Sequence, residues 1–116
     1  MIVQGRRIGS GAPTFIIAEA GVNHNGSVAR ALRLVEAAAR VGADAIKFQA
    51  YRTEALMVRA LPELAIRNGD DAMWRKRWRL LKALELPVAA LHTIRRRCHA
   101  LGLLFARMHS LDRARA

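Results

Sequence analysis

The chain has 116 residues, 53% of them hydrophobic, and carries 20 Lys and Arg against 9 Asp and Glu, for a formal net charge of +11. That length allows at most one ordinary domain, the mean hydropathy of +0.06 fits a folded chain rather than a disordered one, and no segment approaches the roughly 18 apolar residues of a membrane span. The opening Met1-Ile2-Val3-Gln4-Gly5-Arg6-Arg7 lacks the apolar stretch of a secretory signal, and the single cysteine, Cys98, can form no internal disulfide, so the expected location is cytoplasmic.

Ile2-Val3 and Arg7-Ile8, separated by Gln4-Gly5-Arg6, read as a short hairpin that caps something rather than forming a core, closed off by the Gly9 to Pro13 turn. A first strand follows at Thr14 to Ala20, a near-continuous apolar run of the kind buried on both faces of a parallel sheet. Ser27 is a good N-cap for a helix to about Val41, with Gly42 as its stop. Val28, Leu32, Val35 and Ala39 give that helix an apolar face, and Glu36 and Arg40 are spaced for an i,i+4 pair. A second strand, Asp44 to Gln49, completes a right-handed βαβ unit parallel to the first.

From Arg52 to Asp71 no period is visible, and Pro62 with Asn68-Gly69-Asp70 marks an irregular excursion, a length of loop that is usually functional or mobile. The spacing predicts a helix from about Asp71 to Leu84, with Trp74, Trp78 and Leu81 on one stripe. Another begins at Pro87, with Leu91, Ile94, Cys98 and Leu101 as its buried seam. Cys98 therefore reads as core rather than nucleophile. Leu103 to Ala106 is a third strand, and residues 107–116 read as a divergent arginine-rich tail.

The charge excess is nearly all arginine, since Lys47, Lys76 and Lys82 are the only lysines. Such a surface can signal nucleic acid or an anionic membrane, and the helix bearing Trp74 and Trp78 has the look of a basic amphipathic helix. The arginines are nonetheless spread over several helix faces, and with 5% aromatic residues there is little to build a stacking platform. Solvated faces are the expectation, with neither nucleic acid nor membrane as partner.

Chemistry is expected at the carboxyl ends of the strands, where parallel α/β proteins gather ligands. Glu19 ends the first strand, and Asn23-His24-Asn25-Gly26 follows it, rich in short polar side chains just before a helix N-terminus. Lys47 and Gln49 share one face of the second strand by alternation. Glu19 is either a carboxylate satisfied by a neighbouring backbone or arginine, or a catalytic or substrate-positioning group. Lys47, between Ile46 and Phe48, is expected to meet a phosphate or carboxylate. His24 is either a hydrogen-bonding structural group or a ligand; no second histidine or carboxylate stands at metal-ligand spacing beside it. These residues by themselves point to an anion-binding α/β site.

Ile17-Ala18-Glu19-Ala20-Gly21-Val22-Asn23-His24-Asn25-Gly26, together with Gly42-Ala43-Asp44-Ala45-Ile46-Lys47-Phe48-Gln49, resembles the start of the N-acetylneuraminate (sialic acid) synthase family, which includes the legionaminate and pseudaminate synthases. The stretch Leu80 to Leu86 is similar to the family's approach to its next helix, so the resemblance covers roughly Ile2 to Phe105. It implies a (β/α)₈ TIM barrel, of which this chain holds an N-terminal hairpin and about three βα units; such barrels run to about 250 residues. It also implies condensation of phosphoenolpyruvate with an open-chain N-acetylated amino sugar of the N-acetylmannosamine type, giving a nonulosonic acid and phosphate. In the family manganese or magnesium polarises the sugar aldehyde as a Lewis acid. Carried over by position, Lys47 holds the anionic groups of phosphoenolpyruvate, Glu19 is the catalytic residue that orients or deprotonates water or sugar, Gln49 contacts substrate, and Asn23, His24 and Asn25 shape the loop around them.

The family's metal-binding histidines lie on later strands, and the C-terminal antifreeze-like domain that reaches over the partner's site in the family's homodimers has no counterpart here. After Phe105 the family's hydroxyl pair and Pro-Phe-Asp are replaced by Ala106-Arg107-Met108-His109-Ser110-Leu111. The chain by itself is accordingly expected to be inactive. The alternatives are a non-catalytic basic binding module for nucleic acid or another anionic partner, or a phosphoenolpyruvate-aldehyde condensing barrel with a different sugar.

Overall fold

The computed structural model describes residues 1–57 and 71–109. At the N-terminus, β1 (Ile2–Val3) pairs antiparallel with β2 (Arg6–Arg7) in the register Ile2 with Arg7 and Val3 with Arg6. The turn is therefore two residues long, Gln4 and Gly5, both at positive φ (46° and 80°), the mirror-image geometry whose twist suits a hairpin. Arg6 thus belongs to the strand and not to the turn. Its guanidinium reaches Asp44 Oδ1 at 2.5 Å and the Gly102 carbonyl at 2.9 Å, while Asp44 Oδ2 accepts from the Ile16 amide at 2.8 Å. Ile16, Asp44 and Gly102 lie just ahead of the three sheet strands, so the hairpin is tied across the strands' N-terminal ends.

Those strands are β3 (Ile17–Gly21), β4 (Ala45–Ala50) and β5 (Leu104–His109), all parallel, in the order β3-β4-β5. They alternate with α1 (Val28–Arg40), α2 (Thr53–Met57), α3 (Asp71–Leu84) and α4 (Val88–Ala100). Ser27 caps α1 by accepting from the Arg30 amide at 3.2 Å, and Gly42, at φ 79°, lets the chain leave it. Ala31, Val35 and Ala38 are the buried residues of α1, while Val28 and Leu32 are only partly covered. The stripe is rotated from the one expected because the alanines let α1 approach α4, against which it packs. Glu36 follows the same geometry: it pairs with Arg97 on α4 at 2.9 Å, across the helix interface.

The core lies between these helices and one face of the sheet, with Ile46, Phe48, Val35, Ile94, Cys98 and Leu103 essentially sealed from solvent. Each large apolar side chain buried in this way stabilises by about 1.5–3 kcal/mol. The Cys98 thiol is pushed up to about 11 by burial, as suits a core residue. Leu101, expected in the seam, is the helix cap and stands 37% exposed.

The other face of the sheet is open. Ile17 is 54% exposed, so the expectation of a strand buried on both faces does not hold among the described residues. Right-handed crossovers place successive helices on the same side, and in a closed barrel the opposite face turns inward to the lumen. At the far edge β5 runs on through Arg107, Met108 and His109, which pair with Phe48, Gln49 and Ala50, so the third strand is longer than expected and takes in the start of the predicted tail. Pro62, Asn68-Gly69-Asp70 and residues 110–116 lie outside the described residues.

Candidate functional site

Alternation along β3 and β4 places Glu19, Lys47 and Gln49 on the open face, at the carboxyl end of the sheet. Glu19 and Lys47 are register partners, and their side chains form an ion pair with Nζ 2.6 Å from Oε2. The side chains are 50% and 38% exposed, so these are not the buried charges expected from the flanking apolar residues. With water on one side the pair contributes about 1 kcal/mol or less to stability, which leaves it free to exchange partners.

Beyond Glu19 the register slips, Gly21 lying opposite Phe48, and this bulge re-aims the chain into the loop. Gly21 has φ 54°, and a side chain there would point between Glu19 Oε1 and Gln49 Nε2, 3.6 and 3.9 Å from its first carbon. Glycine therefore supplies the backbone geometry and leaves the space between the two polar groups empty. The loop is a run of tight turns: the Asn23 amide donates to Ala20 at 2.9 Å, Asn25 to Val22 at 3.0 Å and Ser27 to His24 at 3.0 Å. Asn25 adopts φ 52°, a conformation asparagine tolerates better than most residues. Asn23 and Asn25 are exposed.

His24 is the opposite case. Its ring is fully buried against Phe48, with centroids 6.1 Å apart, and Nδ1 accepts from the Gly26 amide at 2.9 Å. An accepting Nδ1 belongs to a neutral ring whose proton sits on Nε2, and burial holds the pKa below its ordinary value. Phe48 points to the helix side of β4, so the structure sets His24 apart from Lys47 and Gln49 and gives it the role of holding the loop. Gly26 completes the lock: at φ 76°, any side chain would collide with the carbonyl oxygen of Ala83 at the end of α3.

A second polar cluster, not anticipated from the sequence, fastens the end of β4. The Thr53 amide and hydroxyl both donate to Glu85 Oε2, at 3.0 and 2.8 Å, and Lys82 bridges Glu85 and Glu54 at 3.1 and 2.7 Å. Burial pushes the Glu85 carboxyl up, but the hydrogen bonds from Thr53 and Lys82 outweigh it and hold the group below its ordinary value. The Tyr51 hydroxyl donates to the Leu81 carbonyl at 2.9 Å. The i,i+3 spacing of Lys82 and Glu85 was a visible signal; the partners Thr53 and Glu54 are brought in only by tertiary folding.

Among the described residues no group of three His, Cys, Asp or Glu side chains is arranged to hold a metal ion. On the open face Glu19 is engaged by Lys47, a donor set that does not fit a divalent cation. No described helix is long and apolar enough to cross a membrane.

The model of the NeuB family matches residues 34–109. This chain belongs to the NeuB family. Among its NeuB-type relatives, the N,N'-diacetyllegionaminic acid synthase of Legionella pneumophila is 37% identical over 97 residues, covering 84% of this chain and 27% of that protein. The pseudaminic acid synthase of Campylobacter jejuni is 44% identical over 63 residues, covering 54% of this chain and 18% of that one. The crystal structure of the N-acetylneuraminic acid synthetase of Leptospira borgpetersenii, in complex with citrate, superposes with a TM-score of 0.75 at 31% identity, covering 97% of this chain and 34% of its own. The chain thus spans 27% and 34% of the length of these first-named relatives. The NeuB match together with these relatives bears out the family resemblance, and the fold is that of a NeuB-type TIM barrel over its hairpin and first three strands.

Proposed function

We propose that the open face carrying Glu19, Lys47 and Gln49 binds phosphoenolpyruvate for condensation with an N-acetylated amino sugar, giving a nonulosonic acid and phosphate. The observation that carries this reading is the Lys47–Glu19 pair, 2.6 Å apart and half open to solvent at the ligand end of a NeuB-type sheet. An arriving carboxylate or phosphate replaces Glu19 on the Lys47 ammonium, a charge-assisted contact stronger than a neutral hydrogen bond. Glu19, released, is then a free carboxylate within reach of the bound anion, able to take a proton from the water that adds at the former enol carbon. The enol's methylene carbon bonds to the aldehyde carbon, whose oxygen takes up a proton to become the new hydroxyl; water adds at the former enol carbon, and its oxygen stays as the keto oxygen when phosphate departs with the bridging oxygen.

Gln49 offers an amide to substrate from the same face, and Asn23 and Asn25 present theirs from the loop that His24 and Gly26 hold in place. The manganese or magnesium expected from the family, which would polarise the aldehyde, finds no fitting ligand set among the described residues. A cytoplasmic location and assembly into dimers belong to the same reading. Calorimetric titration of the purified chain with phosphoenolpyruvate is expected to saturate, and Lys47→Ala to lose most of that affinity. With N-acetylmannosamine and manganese added, no phosphate release is expected from this chain alone. Binding indifferent to Lys47→Ala would overturn the assignment of the anion site, and turnover by the chain alone would overturn the need for groups beyond the described residues.

A further inference from the structure

On the helix side of the sheet, away from Lys47, the side chains of Gln4, His92, Arg95, His99 and Arg107 surround an open hollow of about 230 Å³ between α4 and β5. His92, Arg95 and His99 follow one another at spacings of three and four along one face of α4, a strip about 10 Å long at about 1.5 Å per residue. Arg107 is the register partner of Phe48 and lies on the same side of β5 as Phe105, so it meets that strip from across the hollow. Gln4 reaches it from the turn of the hairpin. Each of the five polar side chains can donate a hydrogen bond, and among the described residues no carboxylate lines the hollow.

The other arginines of α4 are differently placed. Arg97 pairs with Glu36 at 2.9 Å and Arg96 donates to the Thr93 hydroxyl at 3.4 Å, whereas neither Arg95 nor Arg107 has a carboxylate partner among the described residues. The α4 macrodipole favours cations in the last turn, which accounts for Arg97 and His99 but not for His92, Arg95 or an arginine on a strand. Val88, Leu91 and Phe105 give the hollow apolar walls, beside which charge is poorly screened and two guanidiniums gain most from a shared counter-anion. We propose that the hollow between α4 and β5 binds a compound carrying two or more linked phosphates, with Arg95 and Arg107 gripping it from the two walls and His92, His99 and Gln4 donating along its length. A single phosphate is shorter than the strip and cannot reach the donors at both ends. Inorganic tripolyphosphate and a nucleoside triphosphate share the required chemistry; the second also has a base to lay on Val88 and Leu91.

The test is calorimetric titration of the full 116-residue chain, free of divalent ions, with phosphate, diphosphate, tripolyphosphate and ATP in turn. Affinity is expected to rise from phosphate to tripolyphosphate, with methyl NMR shifts at Val88 and Leu91 and none at Ile17 on the open face. ATP binding tighter than tripolyphosphate identifies a nucleotide as the ligand class; equal or weaker binding identifies the phosphate chain alone. Replacing both exposed arginines, Arg95→Ala with Arg107→Ala, is expected to weaken tripolyphosphate binding by roughly tenfold or more, with the urea midpoint unchanged. Arg33→Ala with Arg40→Ala removes the same charge from exposed positions on α1 and is expected to change the affinity little. Equal losses in the two double variants would mean that net charge alone attracts the anion. That result, an affinity that does not grow with the number of phosphates, or shifts at Ile17 in place of Val88 and Leu91 would overturn the proposal.

Discussion

Two pairs of opposite charge sit at the two ends of the same sheet. Arg6 and Asp44 at the N-terminal end are 2.5 Å apart with side chains 39% and 28% exposed; Lys47 and Glu19 at the carboxyl end are 2.6 Å apart and 38% and 50% exposed. By distance and burial they are nearly alike. They differ in what else each group does. Both oxygens of Asp44 are taken, by Arg6 and by the Ile16 amide, and Arg6 spends a second nitrogen on Gly102. Among the described residues Glu19 and Lys47 have only each other. A saturated pair of this kind braces strand ends, whereas an unsaturated one keeps hydrogen-bonding capacity in reserve for a third party.

Substitutions can break or sharpen that contrast. The largest expected effect is on ligand affinity: Lys47→Ala should weaken phosphoenolpyruvate binding by roughly ten- to a hundredfold, read by calorimetry, with little change in the urea midpoint. Asp44→Ala should do the reverse. Leaving the Ile16 amide and Arg6 without their acceptor should cost about 1–3 kcal/mol in urea unfolding, with anion binding preserved in the folded fraction. A comparable stability loss from Lys47→Ala would erase the distinction.

His24 tests whether the ligand end takes its rigidity from the loop instead of from the ion pair. Burial lowers its pKa from the ordinary 6.5, so the unfolded chain accepts a proton in a pH range where the folded chain refuses it. The neutral ring's contribution is therefore complete above 6.5 and is lost as the pH falls below that value toward the folded pKa. Urea midpoints measured from about pH 7.5 down to about pH 5 should fall, and fall less steeply in His24→Gln. The smallest effect belongs to Glu19→Gln, expected to shift stability by about 0.5 kcal/mol or less because the pair it breaks is solvated.

Local rules carried much of the fold. Ser27 and Gly42 bounded α1, Asp71 and Leu84 bounded α3, and the two motifs around Glu19 and Lys47 announced the family before any geometry was known. What was missed depends on contacts distant in sequence. Arg6 could be placed in a turn as easily as in a strand until Asp44 and Gly102 were seen to claim it. Glu36 had a plausible partner at Arg40, and only the packing of α1 on α4 brought Arg97 closer. The same holds for exposure: apolar neighbours of Glu19 and Lys47 predicted burial, but a strand has two faces, and the helices cover just one of them here. His24 was left open between two roles because neither the burial of its ring on Phe48 nor the reach of the Gly26 amide is written in local spacing.

At the end of β3 two residues stand where β4 has one, between Glu19 and Gly21. Ala20 nevertheless stays in the core and Gly21 still faces Glu19 and Gln49, so the extra residue is taken up by a bend in the strand and not by a change of side, like a pleat sewn into a hem. The Asn23 to Gly26 turns therefore leave from a strand already bent away from its neighbour. Deleting Ala20 would undo the pleat at the cost of a buried core residue and would draw Gly21 out of the gap it keeps open between Glu19 and Gln49.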